Sequence, residues 1–225
     1  TGRVIYLAGE DPEVVLLRRS HAIGKHLGHS ARASIAENLV LESIMGKGLN
    51  IMDQRHMQWM LGFCNGARII VIDTLSRVHH LDENSNGDMA QLVSRLEQIA
   101  HLTGASVLYL HHVNKNSARE GQTGQQQAAR GASALIDNAR WCGFVERMTE
   151  DKAELLSDRT FDRRPIGNDR RKYFLRFGSS KINYGEDLDD RWYERQAEGV
   201  LIPVELVPAK QENAKKGRAT NVYTG

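Results

Sequence analysis

Cysteine is scarce in this sequence: 225 residues contain two, Cys64 and Cys142. Their spacing fits no metal-site pattern, and two thiols are too few for a disulfide framework. The expectation is a pair of free thiols in a reducing cytoplasm. Long hydrophobic runs are missing. None approaches the roughly 18 consecutive apolar residues of a membrane span, so no membrane partner is expected. A signal peptide is missing too, because the chain opens on TGRVIYLAGEDPE, which reads as the start of a strand. There is no initiator Met, and we read the chain as a fragment that lacks its upstream part. A dominant charge sign is also absent. Formal net charge is +2, so total charge does not argue for nucleic acid. Its distribution is more informative. Lys and Arg crowd the last third, in DRRPIGNDRRKYFLRF and AKQENAKKGRA, while acids dominate Glu146 to Asp158. No internal repeat is visible.

What is present supports one substantial core. Hydrophobic residues make up 40 % of the chain, and one domain is the default at this length. Val4–Leu7 reads as a strand, Pro12 to Leu27 as a helix, and Ile35–Leu41 as containing a short strand. Met52 to Cys64 reads as a helix with Met57, Met60, Leu61 and Cys64 inward. Ile69–Ile72 is a buried strand. Gly87 to Leu102 has strong helical periodicity through Met89, Leu92, Val93, Leu96, Ile99 and Ala100, ended by Gly104. Val107–Leu110 is a further strand. Strands alternating with helices imply a parallel α/β sheet, and continuous apolar runs imply strands covered on both faces. RRKYFLRFGSSKINYG and DRWYERQAEGVLIPVEL read as strand-rich stretches, with a turn at Gly199, that add antiparallel strands to one sheet edge. Glu150–Arg170 reads as a loop-rich insertion. Residues 1–207 form the expected domain, and 208–225 a polar, disordered tail.

In open parallel sheets, ligands bind beyond the carboxyl ends of the strands. VIYLAGED delivers Glu10 and Asp11 there, IIVIDT delivers Asp73 and Thr74, and VLYLHH delivers His111 and His112. A carboxylate ending a hydrophobic strand holds Mg²⁺ in P-loop nucleoside triphosphatases, so Asp73 is the candidate metal ligand, with Thr74 beside it. The plainer reading of Asp73 is a helix cap. Glu10 can polarise an attacking water, or Glu10, Asp11 and Pro12 can simply open a helix. Adjacent residues at a strand end point in opposite directions, so His111 and His112 do not suit one metal ion. One imidazole can instead hydrogen-bond a phosphate, and packing suits His111 better than His112. His79 and His80 have only a solvent or packing role.

A nucleotide site of this class needs G-x-x-x-x-G-K-[ST], whose amides cradle the phosphates. The sequence has none. Gly24-Lys25 is followed by His26, and Gly46-Lys47 by Gly48. Either the phosphate loop lies upstream of Thr1 or the chain is not a working ATPase. Asn114 to Arg130 is almost free of apolar residues and reads as a mobile loop. Its Lys115, Arg119 and Arg130 suit phosphodiester contact, but it has no aromatic residue for base stacking. Arg140, beside Trp141, can pair with Asp137 or reach a neighbouring subunit's nucleotide.

Taken in order, VIYLAGEDP, IIVIDTLSRVHHLDENSNGDMAQLVSRLEQIA, TGASVLYLHHVNK, QQQAARGASALIDNARW and RFGSSKINYG…DRWYER resemble the RecA-like ATPase core of RepA-type hexameric replicative DNA helicases. The resemblance spans roughly Gly2 to Pro203 and is weakest over Glu150–Arg170. It implies a mainly parallel RecA-like sheet flanked by helices, with antiparallel C-terminal strands and with the first β–α unit, the P-loop, missing. It implies ATP and Mg²⁺ as cofactors, a hexameric ring, single-stranded DNA as partner, and primase and origin-binding proteins of plasmid- or phage-type replication as further partners. By motif, Glu10 resembles the catalytic carboxylate, Asp73 the Walker B residue, His112 the phosphate sensor and Arg140 the arginine finger. The segment from Asn114 to Arg130 resembles the one facing the central channel. Arg19 matches a family arginine whose role stays open. Two other readings compete: a non-catalytic RecA-like DNA-binding or regulatory scaffold, and a recombination or repair ATPase.

Overall fold

A computed structural model describes residues 2–112, 133–186 and 189–210. Short apolar runs form its first sheet. Strands β1 (Val4–Ala8), β2 (Leu39–Ser43), β3 (Ile69–Asp73) and β4 (Ser106–Tyr109) lie parallel in the order β2-β1-β3-β4. Ala8 stands opposite both Ser43 and Asp73, so three strand ends are level and their following residues emerge at one edge.

Side chains alternate across the pleat, which puts Ile5, Leu7, Ile70 and Ile72 on one face, all fully buried. They share a core with Met57 and Met60 of α3 (Gln54–Phe63) and with Met89, Leu92, Leu96 and Ile99 of α4 (Asn86–Thr103). Cys64 is buried with them and Leu61 half-buried, as the helical spacing predicts. Both helices start on side-chain caps. The Asp53 carboxylate accepts from the Arg55 and His56 amides at 2.8 and 3.1 Å, and Ser85 Oγ accepts from the Asp88 amide at 3.2 Å. Gly104 closes α4 with φ +71°, a left-handed conformation that costs glycine nothing.

The opposite sheet face carries Tyr6, Leu41, Val71 and Leu108, aligned by register. Cover on both faces holds for β3, whose Val71 is buried, and fails at β4, where Leu108 and the following Leu110 are 42 % and 40 % exposed. Among the described residues β4 also has no strand on its outer side. Between β1 and β2 lie α1 (Glu13–Gly24) and α2 (His29–Asn38). The second of these is absent from the sequence reading. Its sequence, HSARASIAEN, buries no residue and so shows no apolar period. The strand expected within Ile35–Leu41 accordingly begins at Leu39.

The antiparallel strands form a sheet of their own instead of extending the first. Strands β5 (Trp141–Arg147), β7 (Phe174–Ile182), β8 (Arg191–Arg195) and β9 (Leu201–Val204) pair in the order β5-β7-β8-β9. The stretch expected to be loop-rich contains α6 (Glu150–Leu155), β6 (Leu156–Ser157) and α7 (Gly167–Arg170). It contributes Ala153 and Ile166 to a second core with Met148 and Phe174. Strand β10 (Val207–Pro208) pairs with β6, and the Ala209 and Lys210 amides donate to the Leu155 and Arg163 carbonyls. The expected tail is therefore anchored at its start, and residues 211–225 lie outside the described residues. Helix α5 (Ala134–Asp137) joins the two parts. Its Leu135 is buried in the first core and its Leu135 carbonyl accepts from the Tyr109 hydroxyl at 2.7 Å. From the second sheet, Lys181 Nζ donates to the Ile136 and Asp137 carbonyls at 3.0 and 2.7 Å, satisfying the end of that helix.

Candidate active site

The level strand ends bring Glu10, Thr74 and His112 together. Thr74 is buried, and its hydroxyl donates to Glu10 Oε1 at 3.4 Å while sharing a 3.1 Å bond with Ser76. His112 Nε2 lies 3.6 Å from the same Glu10 oxygen. Residues far from Glu10 along the chain thus meet on its carboxylate because β1, β3 and β4 end at one edge. Asp73 stands beside them at the end of β3, half-buried, on the sheet face that also carries Tyr6.

Tyr6 is a site residue that sequence reasoning missed. Its hydroxyl donates to Asp73 Oδ2. Burial, with the Asp73 carboxylate beside it, pushes the phenol well above its usual range, so it stays a donor. The signal available in the sequence was period 2: Tyr6 shares a face with Ala8, which pairs with Asp73. Arg77 is a second missed residue. It ends a 3-10 turn, Leu75–Arg77, and its Nε donates to Glu10 Oε1 at 3.4 Å.

Several expected placements change. Asp11 does not cap α1. Its side chain pairs with Arg19, its carbonyl accepts from Ser43 Oγ at 2.9 Å, and the cap position is Pro12, with no side-chain bond. That pairing gives Arg19 a place next to Glu10 in the chain. Arg140 does not pair with the Asp137 carboxylate. It is exposed and donates to the Asn138 carbonyl at 3.4 Å, away from Glu10 and Asp73. His79 is buried and His80 exposed, in keeping with a packing and a solvent role. Nδ1 of His79 accepts from the Leu81 amide at 3.2 Å, its Nε2 has no partner among the described residues, and burial lowers its pKa. Lys115, Arg119 and Arg130 lie outside the described residues.

No group of three or more His, Cys, Asp or Glu among the described residues is arranged to hold a metal ion. The donor set still fits Mg²⁺ bound in its usual manner with phosphates: one carboxylate, Asp73, and one hydroxyl, Thr74, with waters and substrate oxygens supplying the rest. No helix is long and apolar enough to cross a membrane among the described residues.

Residues 1–118, a little over half of the chain, match the family model described as AAA domain. The chain belongs to the AAA domain family. That match takes in β1 to β4 and every side chain of the Glu10 cluster. Solved structures share the architecture of this AAA domain. One of them, an ATPase domain solved by itself, superposes with a TM-score of 0.59 at 14 % identity, covering 91 % of this chain and 75 % of that one. A DnaB-like replicative helicase, solved for its interactions with primase, gives 0.60 at 13 % identity and covers 88 % of this chain and 50 % of that one. At such identities the likeness is one of fold, and the fold is that of a RecA-like helicase ATPase domain.

Proposed function

We propose that this chain is the ATPase core of a RepA-type replicative DNA helicase, acting at subunit interfaces of a ring. The observation that carries the reading is the meeting of Glu10, Thr74 and His112 at one sheet edge beside Asp73. Bound Mg-ATP would supply the phosphoryl group and the charge that the metal neutralises. Glu10 orients and deprotonates the attacking water. Asp73 and Thr74 hold the metal through oxygen atoms. His112, 59 % exposed and touching Glu10, is placed to hydrogen-bond a phosphate oxygen and report its presence to the base. Arg140 is exposed and engages only its own turn, which leaves its guanidinium available to a neighbouring subunit. Lys115, Arg119 and Arg130 are assigned to single-stranded DNA, and plasmid or phage-type replication, with primase and origin-binding proteins, is the setting that the resemblance implies.

One observation favours a second reading. The sequence contains no G-x-x-x-x-G-K-[ST], so a RecA-like scaffold that binds DNA without hydrolysis is the alternative. ATP hydrolysis and unwinding of a forked duplex, measured on the protein as encoded, separate the two. Under the helicase reading both are seen, Asp73→Asn abolishes Mg²⁺-dependent turnover, and Arg140→Ala keeps nucleotide binding while losing turnover. Hydrolysis stimulated by single strands without unwinding points to a recombination or repair ATPase. No hydrolysis at all leaves the scaffold.

A further inference from the structure

The Glu10 cluster contains a cation for which the scheme above has no use. Arg77 reaches Glu10 by lying across Gly9. A Cβ placed on Gly9 would press into Arg77 Cβ and stand 2.6 Å from its Cγ and 3.3 Å from the Asp73 carbonyl. The Gly9 φ lies outside the left-handed region, so this glycine provides space, not an unusual conformation. The Gly9 amide also donates to the Asp73 carbonyl, which ties the ends of β1 and β3 together under the arginine stem. The arginine is thus led over a bare backbone to one particular oxygen. Thr74 Oγ1 at 3.4 Å, Arg77 Nε at 3.4 Å and His112 Nε2 at 3.6 Å all approach Glu10 Oε1.

Stability does not account for this arrangement. Arg77 and Glu10 are 56 % and 38 % exposed, and an ion pair so open to water contributes little to folding. Orientation does account for it. A carboxylate gripped on one oxygen has its other oxygen aimed in a fixed direction, and correct aim at a water is what a general base requires. We propose that Arg77 is a positioning residue for Glu10: it grips Oε1 from across Gly9 so that Oε2 faces the reacting water. This inference rests on the ATPase reading above, and two measurements keep them apart.

The first measurement needs no activity. In this chain, the Arg77 Nε–H resonance, assigned by its loss in Arg77→Lys, should move when Glu10 is changed to Gln. An unmoved resonance overturns the pairing. The second is steady-state hydrolysis by the protein as encoded. Arg77→Ala should lower kcat by about 10- to 100-fold with KM for ATP little changed, as expected when a reacting group loses its aim. Arg77→Lys should recover part of the loss, as should added guanidinium. Gly9→Ala keeps every charge but displaces the stem, and should produce the same loss in kcat. If wild type hydrolyses ATP and Arg77→Ala matches it, or raises KM alone, the inference falls while the ATPase reading stands. If wild type hydrolyses nothing, the ATPase reading falls and takes the role of Arg77 with it.

Discussion

Asp73 ends a strand whose preceding Ile70 and Ile72 are fully buried, yet its carboxylate is not left bare. It accepts from the Tyr6 hydroxyl on the same sheet face. Three groups of the first sheet and its core resist ionisation. Burial pushes the Cys64 thiol from its ordinary 9.0 up to about 11 and the Tyr109 phenol from 10.0 up to about 12, and burial with Asp73 raises Tyr6 beyond that. The sign follows directly. A raised folded-state pKa stabilises the neutral form, so the contribution is whole below the unfolded value and is lost as pH climbs through the folded one. Thermal midpoints measured between about pH 8 and pH 11 should therefore fall on the alkaline side. The Cys64 contribution begins to drop near pH 9.0, and those of the tyrosines near pH 10.0. Tyr6→Phe should flatten the curve above the latter value. A midpoint independent of pH over that span would contradict the assignment. At this scale the sequence was most legible. Glu10, Thr74 and His112 were named from strand-end position alone, and they meet. Tyr6 and Arg77 were not named, because nothing in a linear pattern says that a tyrosine will bond diagonally across a pleat or that an arginine will cross a glycine from a neighbouring strand's turn.

Among the elements, the second sheet is held by charges in an unusual position for charges. Glu146 on β5 is buried, and Arg176 of β7 reaches its Oε1 at 2.6 Å while Lys152 of α6 approaches at 3.4 Å. Arg176 also pairs with Asp190 at 2.8 Å and lies over the Phe144 ring at 5.1 Å. Gly178 lets the Asp190 carboxylate and Phe144 close over the strand, since a Cβ there would collide with both. Removing one partner of a buried pair leaves the other uncompensated, so Arg176→Ala should destabilise the protein by roughly 3–5 kcal/mol. The retained Lys152 contact places the expectation at the low end. Denaturant unfolding measures it, and a loss under about 1 kcal/mol, the size of a surface pair, would show that Glu146 is better hydrated than its burial indicates. Element type was legible wherever one face is apolar, as in α4, and illegible in α2, which buries nothing. The strand β5 was missed because WCGFVER exposes Trp141 and Val145 and buries Glu146, inverting the usual pattern.

For the whole molecule, the decisive feature is that the two sheets stay separate. Strand β4 ends the first sheet, with Leu108 and Leu110 exposed, and β5 ends the second, with Trp141 and Val145 exposed. An unpaired strand edge next to exposed apolar side chains is a template for association. This chain by itself should therefore self-associate, and replacing Leu108 and Leu110 with Lys should return it toward a monomer. Size-exclusion chromatography with light scattering decides, and a stable, well-behaved wild-type monomer would sink the idea. The sequence alone determined the parallel α/β class and the order of its strands and helices. It also determined which residues stand at strand ends, because period and apolar content are local properties of the chain. Only the tertiary structure decided that Glu10, Arg77 and His112 share one oxygen, that Asp73 leans on Tyr6, and that the antiparallel strands make their own sheet. Those outcomes depend on strand order and register, which bring together residues far apart in the chain and leave no trace in local pattern.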